Sequence, residues 1–212
     1  MCINLCESLK SYFGDTTVKG AVDSILENKF SIPQDIDWPD LPGLHKAVLA
    51  AYQVRCDFAL FLLELWDSVW QASLTNSDLG GELVPITLQQ TQESGDMKFD
   101  PENIWNDRWY QRSFETTARG KQYELYLGIE VSRERHPNLQ LYLYLWDCKK
   151  EEDVTKNLDM MDAQWQTLTE EEGQIGYTKS LASYCQDGKI DLVRLQETAK
   201  GALLTIYEHF RQ

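Results

Sequence analysis

The stretch that decides the fold is Tyr123-Glu124-Leu125-Tyr126-Leu127-Gly128-Ile129-Glu130-Val131, with its sequel Leu139-Gln140-Leu141-Tyr142-Leu143-Tyr144-Leu145-Trp146. In the first segment Tyr123, Leu125, Leu127, Ile129 and Val131 point one way, and Glu124, Tyr126, Gly128 and Glu130 the other. In the second, Leu139, Leu141, Leu143 and Leu145 share one face, and Gln140, Tyr142, Tyr144 and Trp146 the opposite one. Such strict alternation is the pattern of a strand that turns one face to a core. The link Arg133-Glu134-Arg135-His136-Pro137-Asn138 is too short for a crossover. The two strands are therefore expected to form an antiparallel hairpin over 123–146.

The two faces of this hairpin are unlike. Leucines in strict alternation mark the core side. Tyr126, Tyr142, Tyr144 and Trp146 lie on the other, beside Glu124, Glu130 and Gln140. Two readings of that second face stand side by side. A helix can cover it, giving a sheet buried on both sides. Otherwise it is an open aromatic surface that binds a partner, since Tyr and Trp give large contact areas at low entropic cost.

Outward from the hairpin the period changes to helical. Leu44, Val48, Tyr52, Ala59, Leu62, Leu63, Trp66, Val69 and Trp70 recur at three- and four-residue spacing, which predicts a helix over 43–74. Its apolar stripe is wide, so the helix needs neighbours on more than one side, and it is the natural cover for the tyrosine face. Upstream, Val18, Ala21, Val22, Ile25 and Leu26 predict a helix with Thr16 or Thr17 as N-cap. Pro33, Pro39 and Pro42 break the chain between the two helices.

Val84, Ile86 and Leu88 alternate around Pro85, as in an edge strand. Trp105, Trp109, Tyr110 and Phe114 fit neither period decisively. Short strands are expected over 163–168 and 173–179, around the acid run Glu170-Glu171-Glu172, and a turn at Asp187-Gly188. Leu192, Leu195, Ala199, Ala202, Leu203, Ile206 and Phe210 predict a closing helix capped by Asp191. Helices, then strands, then a helix make an α+β protein rather than an alternating α/β one. The expectation is one domain over 1–212: helical to residue 75, an antiparallel sheet over 82–180, and a C-terminal helix over 190–211 packed on the sheet.

The chain has 212 residues, 42% of them hydrophobic and 11% aromatic, so it can bury a core without disulfide or metal staples. Cys2, Cys6, Cys56, Cys148 and Cys185 form no C-x-x-C pair, which predicts reduced thiols and no zinc ribbon. The most apolar run, Phe58 to Trp70, holds Glu64 and Asp67 and is too short to span a bilayer. With no basic, apolar leader at the N-terminus, a cytoplasmic location, or the cytoplasm of an infected host, is expected.

Net charge is −14, from 20 basic and 34 acidic residues, and the excess acid lies on both flanks of a nearly neutral centre. Such a field repels phosphates, so direct nucleic-acid binding is disfavoured and a basic protein partner favoured. Glu151-Glu152-Asp153 and Glu170-Glu171-Glu172 add carboxylates after the hairpin. They read as solvated loops or, with the aromatic face, as a surface that competes with nucleic acid for a basic groove.

His45, His136 and His209 are far apart in sequence, and no hydrolase elbow, phosphate loop or dinucleotide motif occurs. No cofactor or metal is expected. Asp147-Cys148-Lys149 at the strand end, taken with Glu124 or Glu130, is similar to the carboxylate and lysine set of PD-(D/E)xK nucleases. The resemblance implies a magnesium-dependent enzyme. It lacks the usual Asp at the start of the preceding strand, and its D-x-K sits at a charged strand exit. The primary expectation is thus a non-enzymatic binding or inhibitor protein, physically akin to immunity proteins of nuclease toxins and viral anti-defence inhibitors. A metal-dependent nuclease and an oligomeric scaffold subunit are the alternatives.

Overall fold

In a computed structural model the described residues are 2–27, 41–74, 99–118, 121–131, 138–147, 165–171, 174–186 and 189–211. A short strand β1 (Cys2–Asn4) leads into α1 (Glu7–Gly14) and α2 (Thr16–Leu26). The long helix α3 (Leu41–Trp66) continues through a π turn (Asp67–Gln71) into a last turn at Ala72–Leu74. Then follow α4 (Pro101–Asp107), β2 (Trp109–Ala118), β3 (Lys121–Val131) and β4 (Leu139–Asp147). The chain closes with β5 (Gln166–Glu171), β6 (Gln174–Ser180), β7 (Cys185–Gln186), β8 (Lys189–Asp191) and α5 (Leu192–Arg211).

The main sheet is antiparallel throughout, in the order β2-β3-β4-β6-β5. The expected hairpin is its centre, with Leu127 opposite Leu143 and Val131 opposite Leu139. The C-terminal half of the sheet departs from a simple meander, since β6 inserts between β4 and β5. A small sheet, β1-β8-β7, joins the N-terminal strand to the segment before the last helix.

Local chemistry explains most element ends. α2 is capped not by Thr16 or Thr17 but by the residue before them, Asp15. The Asp15 carboxylate accepts the amides of Thr17 (2.8 Å) and Val18 (3.2 Å), and a carboxylate also suits the positive end of the helix. At α4, Asp100 accepts from Glu102 N at 2.8 Å and Pro101 fills the first turn. Trp105 is therefore helical while Trp109, Tyr110 and Phe114 belong to β2, which settles the segment whose period was ambiguous. Between them Arg108 adopts a left-handed conformation (φ 67°) and ends the helix. Its side chain is held by the Trp105 ring (4.0 Å) and the Tyr12 hydroxyl (3.3 Å). Asp191 caps α5 as expected, accepting from Arg194 N at 3.3 Å.

The core lies between the leucine face of the sheet and the helices. Leu125, Leu127, Ile129, Leu141, Leu143 and Leu145 join one buried cluster with Phe58, Leu62, Leu65, Trp66, Val69 and Trp70. From α5, Leu195, Ala199, Ala202, Leu203 and Ile206 complete it. Helix 43–74 thus covers the leucine face and not the tyrosine face. The reason is visible in its tryptophans. Trp66 Nε1 donates to the Leu127 carbonyl (2.7 Å) and Trp70 Nε1 to the Gly128 carbonyl (3.0 Å). Carbonyls have a second lone pair, so these strand groups accept an indole beyond their ladder bonds. A buried tryptophan must place its N–H somewhere, and the backbone of β3 gives each of these indoles an acceptor.

The π turn is fixed from the other side by α5. The Gln196 amide donates to Ser68 O at 2.6 Å, and the buried Ser73 hydroxyl donates to Val69 O at 2.7 Å. Widening a helical turn misaligns carbonyls, and side chains here satisfy them. At the edge of the sheet, Arg112 lies over the Trp66 ring (4.2 Å) and bonds Asp67 at 3.1 Å.

Glu170 and Glu171 are not loop residues. Both are paired in β5, with Ile175 and Gln174. The expected strand around Pro85, the run Glu151-Glu152-Asp153, Glu172, Cys148, Lys149 and the Asp187-Gly188 turn lie outside the described residues.

Candidate functional site: the tyrosine face of the sheet

Register places four cross-strand rows on the face opposite the helices. Glu124 stands opposite Trp146, with Gln174 beyond. Ser113, Tyr126, Tyr144 and Gly176 make the next row, and Gln111, Gly128, Tyr142 and Thr178 the third. Trp109, Glu130, Gln140 and Ser180 make the fourth. The four aromatic residues read from the sequence are thus brought together by pairing alone. Trp109 and Gln111 were not foreseen, because the strand that carries them was ambiguous.

Two glycines shape the face. A Cβ on Gly128 would stand 2.0 Å from Tyr142 Cζ, and one on Gly176 would stand 2.4 Å from Tyr144 Cε1. Each tyrosine ring therefore lies across the backbone of the neighbouring strand, in space that any side chain would fill. This recovers apolar burial at positions where glycine leaves the sheet bare. The rings also meet one another: Tyr142 and Tyr144 edge to face at 5.7 Å, Tyr126 and Trp146 tilted at 6.4 Å.

Exposure grades across the face. Tyr142 is only 4% exposed, Tyr126 and Tyr144 are half-buried, and Trp146 is 37% exposed. The Tyr142 hydroxyl donates to Gln111 Oε1 at 2.7 Å, and the Tyr126 hydroxyl donates to Glu124. Burial, then the charge of Glu130 and the neighbouring Tyr144, hold the Tyr142 phenol well above its ordinary range. It is a donor at every physiological pH. Burial also raises the Glu130 carboxyl above its usual value.

The chemistry on offer is aromatic surface with carboxylates at its margin. The other candidates fare differently. Asp147 ends β4 opposite Tyr123, and the lysine that would complete a nuclease set lies outside the described residues. Among the described residues no three His, Cys, Asp or Glu side chains group closely enough to hold a metal ion. No helix among them is long and apolar enough to cross a membrane. Comparison with protein-family models, curated proteins and solved structures finds no match for the chain.

Proposed function

We propose that the chain is a non-enzymatic binding protein whose tyrosine face, with Glu124, Glu130 and the acidic surface, engages a basic protein partner. Such a partner includes proteins that themselves handle nucleic acid, which an inhibitor of this kind would occupy in place of their substrate. Direct nucleic-acid binding is not part of the proposal, because a chain of net charge −14 repels phosphate.

The observation that carries it is the pairing of ring and carboxylate at Trp146 and Glu124, directly opposite on neighbouring strands. The fold uses this combination repeatedly to hold its own arginines. Arg112 lies on Trp66 beside Asp67, Arg108 on Trp105 with Asp23 at 3.8 Å, and Arg55 on Tyr52 with Glu102 at 3.7 Å. A guanidinium gains from both groups, from the ring quadrupole and from the charge. A partner's arginine would meet the same pair at the exposed end of the tyrosine face.

The test is affinity capture of partners followed by titration at rising salt, with an arginine-rich and a lysine-rich peptide as defined probes. Affinity should fall as salt rises, arginine should exceed lysine, and Trp146→Ala or Glu124→Gln should each weaken binding about five- to tenfold. Absence of any ligand whose affinity weakens with salt would refute the reading.

A further inference from the structure

We infer that the outward side of α3 is a self-association surface, on which a second copy of this chain packs its own α3 in antiparallel orientation. The helix is apolar on more sides than the fold covers. Ala51, Val54, Phe58, Leu62 and Leu65 face the core. On the opposite side Leu49 is 55% and Leu60 is 51% exposed, and Leu41 and Tyr52 are exposed with them. Half-buried Cys56 lies one seven-residue step beyond Leu49, the repeat of a helix–helix seam. Large leucines left in solvent along one side of a helix are an unpaired apolar stripe, and such a stripe calls for a partner.

The charges beside this seam select the occupant. Lys46 and Glu64 are both exposed on α3. They are eighteen residues apart, which at 3.6 residues per turn is five whole turns, so both flank the seam on the same side. In an antiparallel pair related by a two-fold axis, the same flank of each helix meets its counterpart. An axis near residue 55 sets Lys46 of one copy against Glu64 of the other, and does so twice. The same axis sets Leu49 against Leu60, since that pair is also centred within half a residue of position 55. Apolar and charged positions therefore satisfy one common axis, the mark of an isologous, closed interface. A foreign helix would have no reason to match this spacing. The surface lies across the helix from the sheet and is separate from the tyrosine face.

Sedimentation velocity on the full chain, at about 0.15 M salt so that repulsion between two acidic copies is screened beyond about 8 Å, tests the inference. Between low micromolar and about 200 μM, the range of modest interfaces, the 24.6 kDa chain should move toward twice that mass. Leu60→Glu should leave it monomeric with an unchanged thermal midpoint, because this side chain is outside the core. Lys46→Glu and Glu64→Lys should each weaken association by about fivefold, since the interface carries the pair twice. The two changes combined in one chain should restore it. A monomer at the highest concentration, or a combined variant no better than the single ones, would overturn the inference.

Discussion

Gly128→Ala is the sharpest probe of how the tyrosine face is built. The new methyl would stand 2.0 Å from Tyr142 Cζ and 2.4 Å from its Cε1 and hydroxyl. The ring has little room to yield, being 4% exposed and tethered to Gln111 at 2.7 Å. Displacing it costs about 1–3 kcal/mol of packing. Losing the hydroxyl bond adds about 1 kcal/mol. Against this, alanine in place of glycine in a strand returns about 0.5–1 kcal/mol of chain entropy. The net expectation is a loss of about 2 kcal/mol, read as a lower denaturant midpoint with an unchanged slope. The decisive step is a double-mutant cycle. In a Tyr142→Ala background the clash is gone, so Gly128→Ala should be neutral or slightly stabilising, with a coupling of about 2 kcal/mol. Equal costs in both backgrounds would refute the reasoning and place the demand on the backbone of Gly128 instead. Gly176→Ala is the internal control: Tyr144 is half-buried and can swing outward, so its cost should be smaller.

Two further outcomes follow from local geometry. Asp15→Ala should cost about 1 kcal/mol in chemical denaturation, while Thr16→Ala and Thr17→Ala stay near zero, because the carboxylate alone accepts the first amides of α2. Tyr12 donates to Asp23 at 2.7 Å, and burial first, then that bond, pushes its phenol up to about 12 from 10.0. A raised acid favours the neutral form in the folded state. Its contribution is complete below pH 10 and is lost as pH rises through about 12. Tyr12→Phe should be less stable at neutral pH yet decline less steeply across that window, as followed by the thermal midpoint against pH. An equal decline in both proteins would remove Tyr12 as a cause.

Legibility tracked how local each interaction was. The 123–146 hairpin, its leucine face and the companionship of Tyr126, Tyr142, Tyr144 and Trp146 follow from alternation alone, because a period of two assigns faces without reference to anything distant. Helix 43–74 and the Asp191 cap were equally plain. Where two neighbours competed for one role, as Asp15 did with Thr16 and Thr17, pattern could not choose, because caps differ by fractions of a kcal/mol and by backbone geometry. The segment 105–114 failed for another reason: a helix and a strand meet at Arg108, whose left-handed turn is held by Trp105 and by Tyr12 from a distant helix.

The chain by itself determined that there are two unlike sheet faces, a long helix apolar on several sides, and an acidic surface. Only the tertiary structure decided which face that helix covers. The choice rests on two indole N–H groups finding the carbonyls of Leu127 and Gly128, contacts about sixty residues apart that no local period encodes. The same packing inserted β6 beside β4 and tied Cys2–Asn4 to Lys189–Asp191. It left the tyrosine rings lying over Gly128 and Gly176, and Leu49 and Leu60 of α3 facing outward. Alternation specifies what a face is made of, but what lies against it depends on which distant groups can satisfy one another's buried polar atoms.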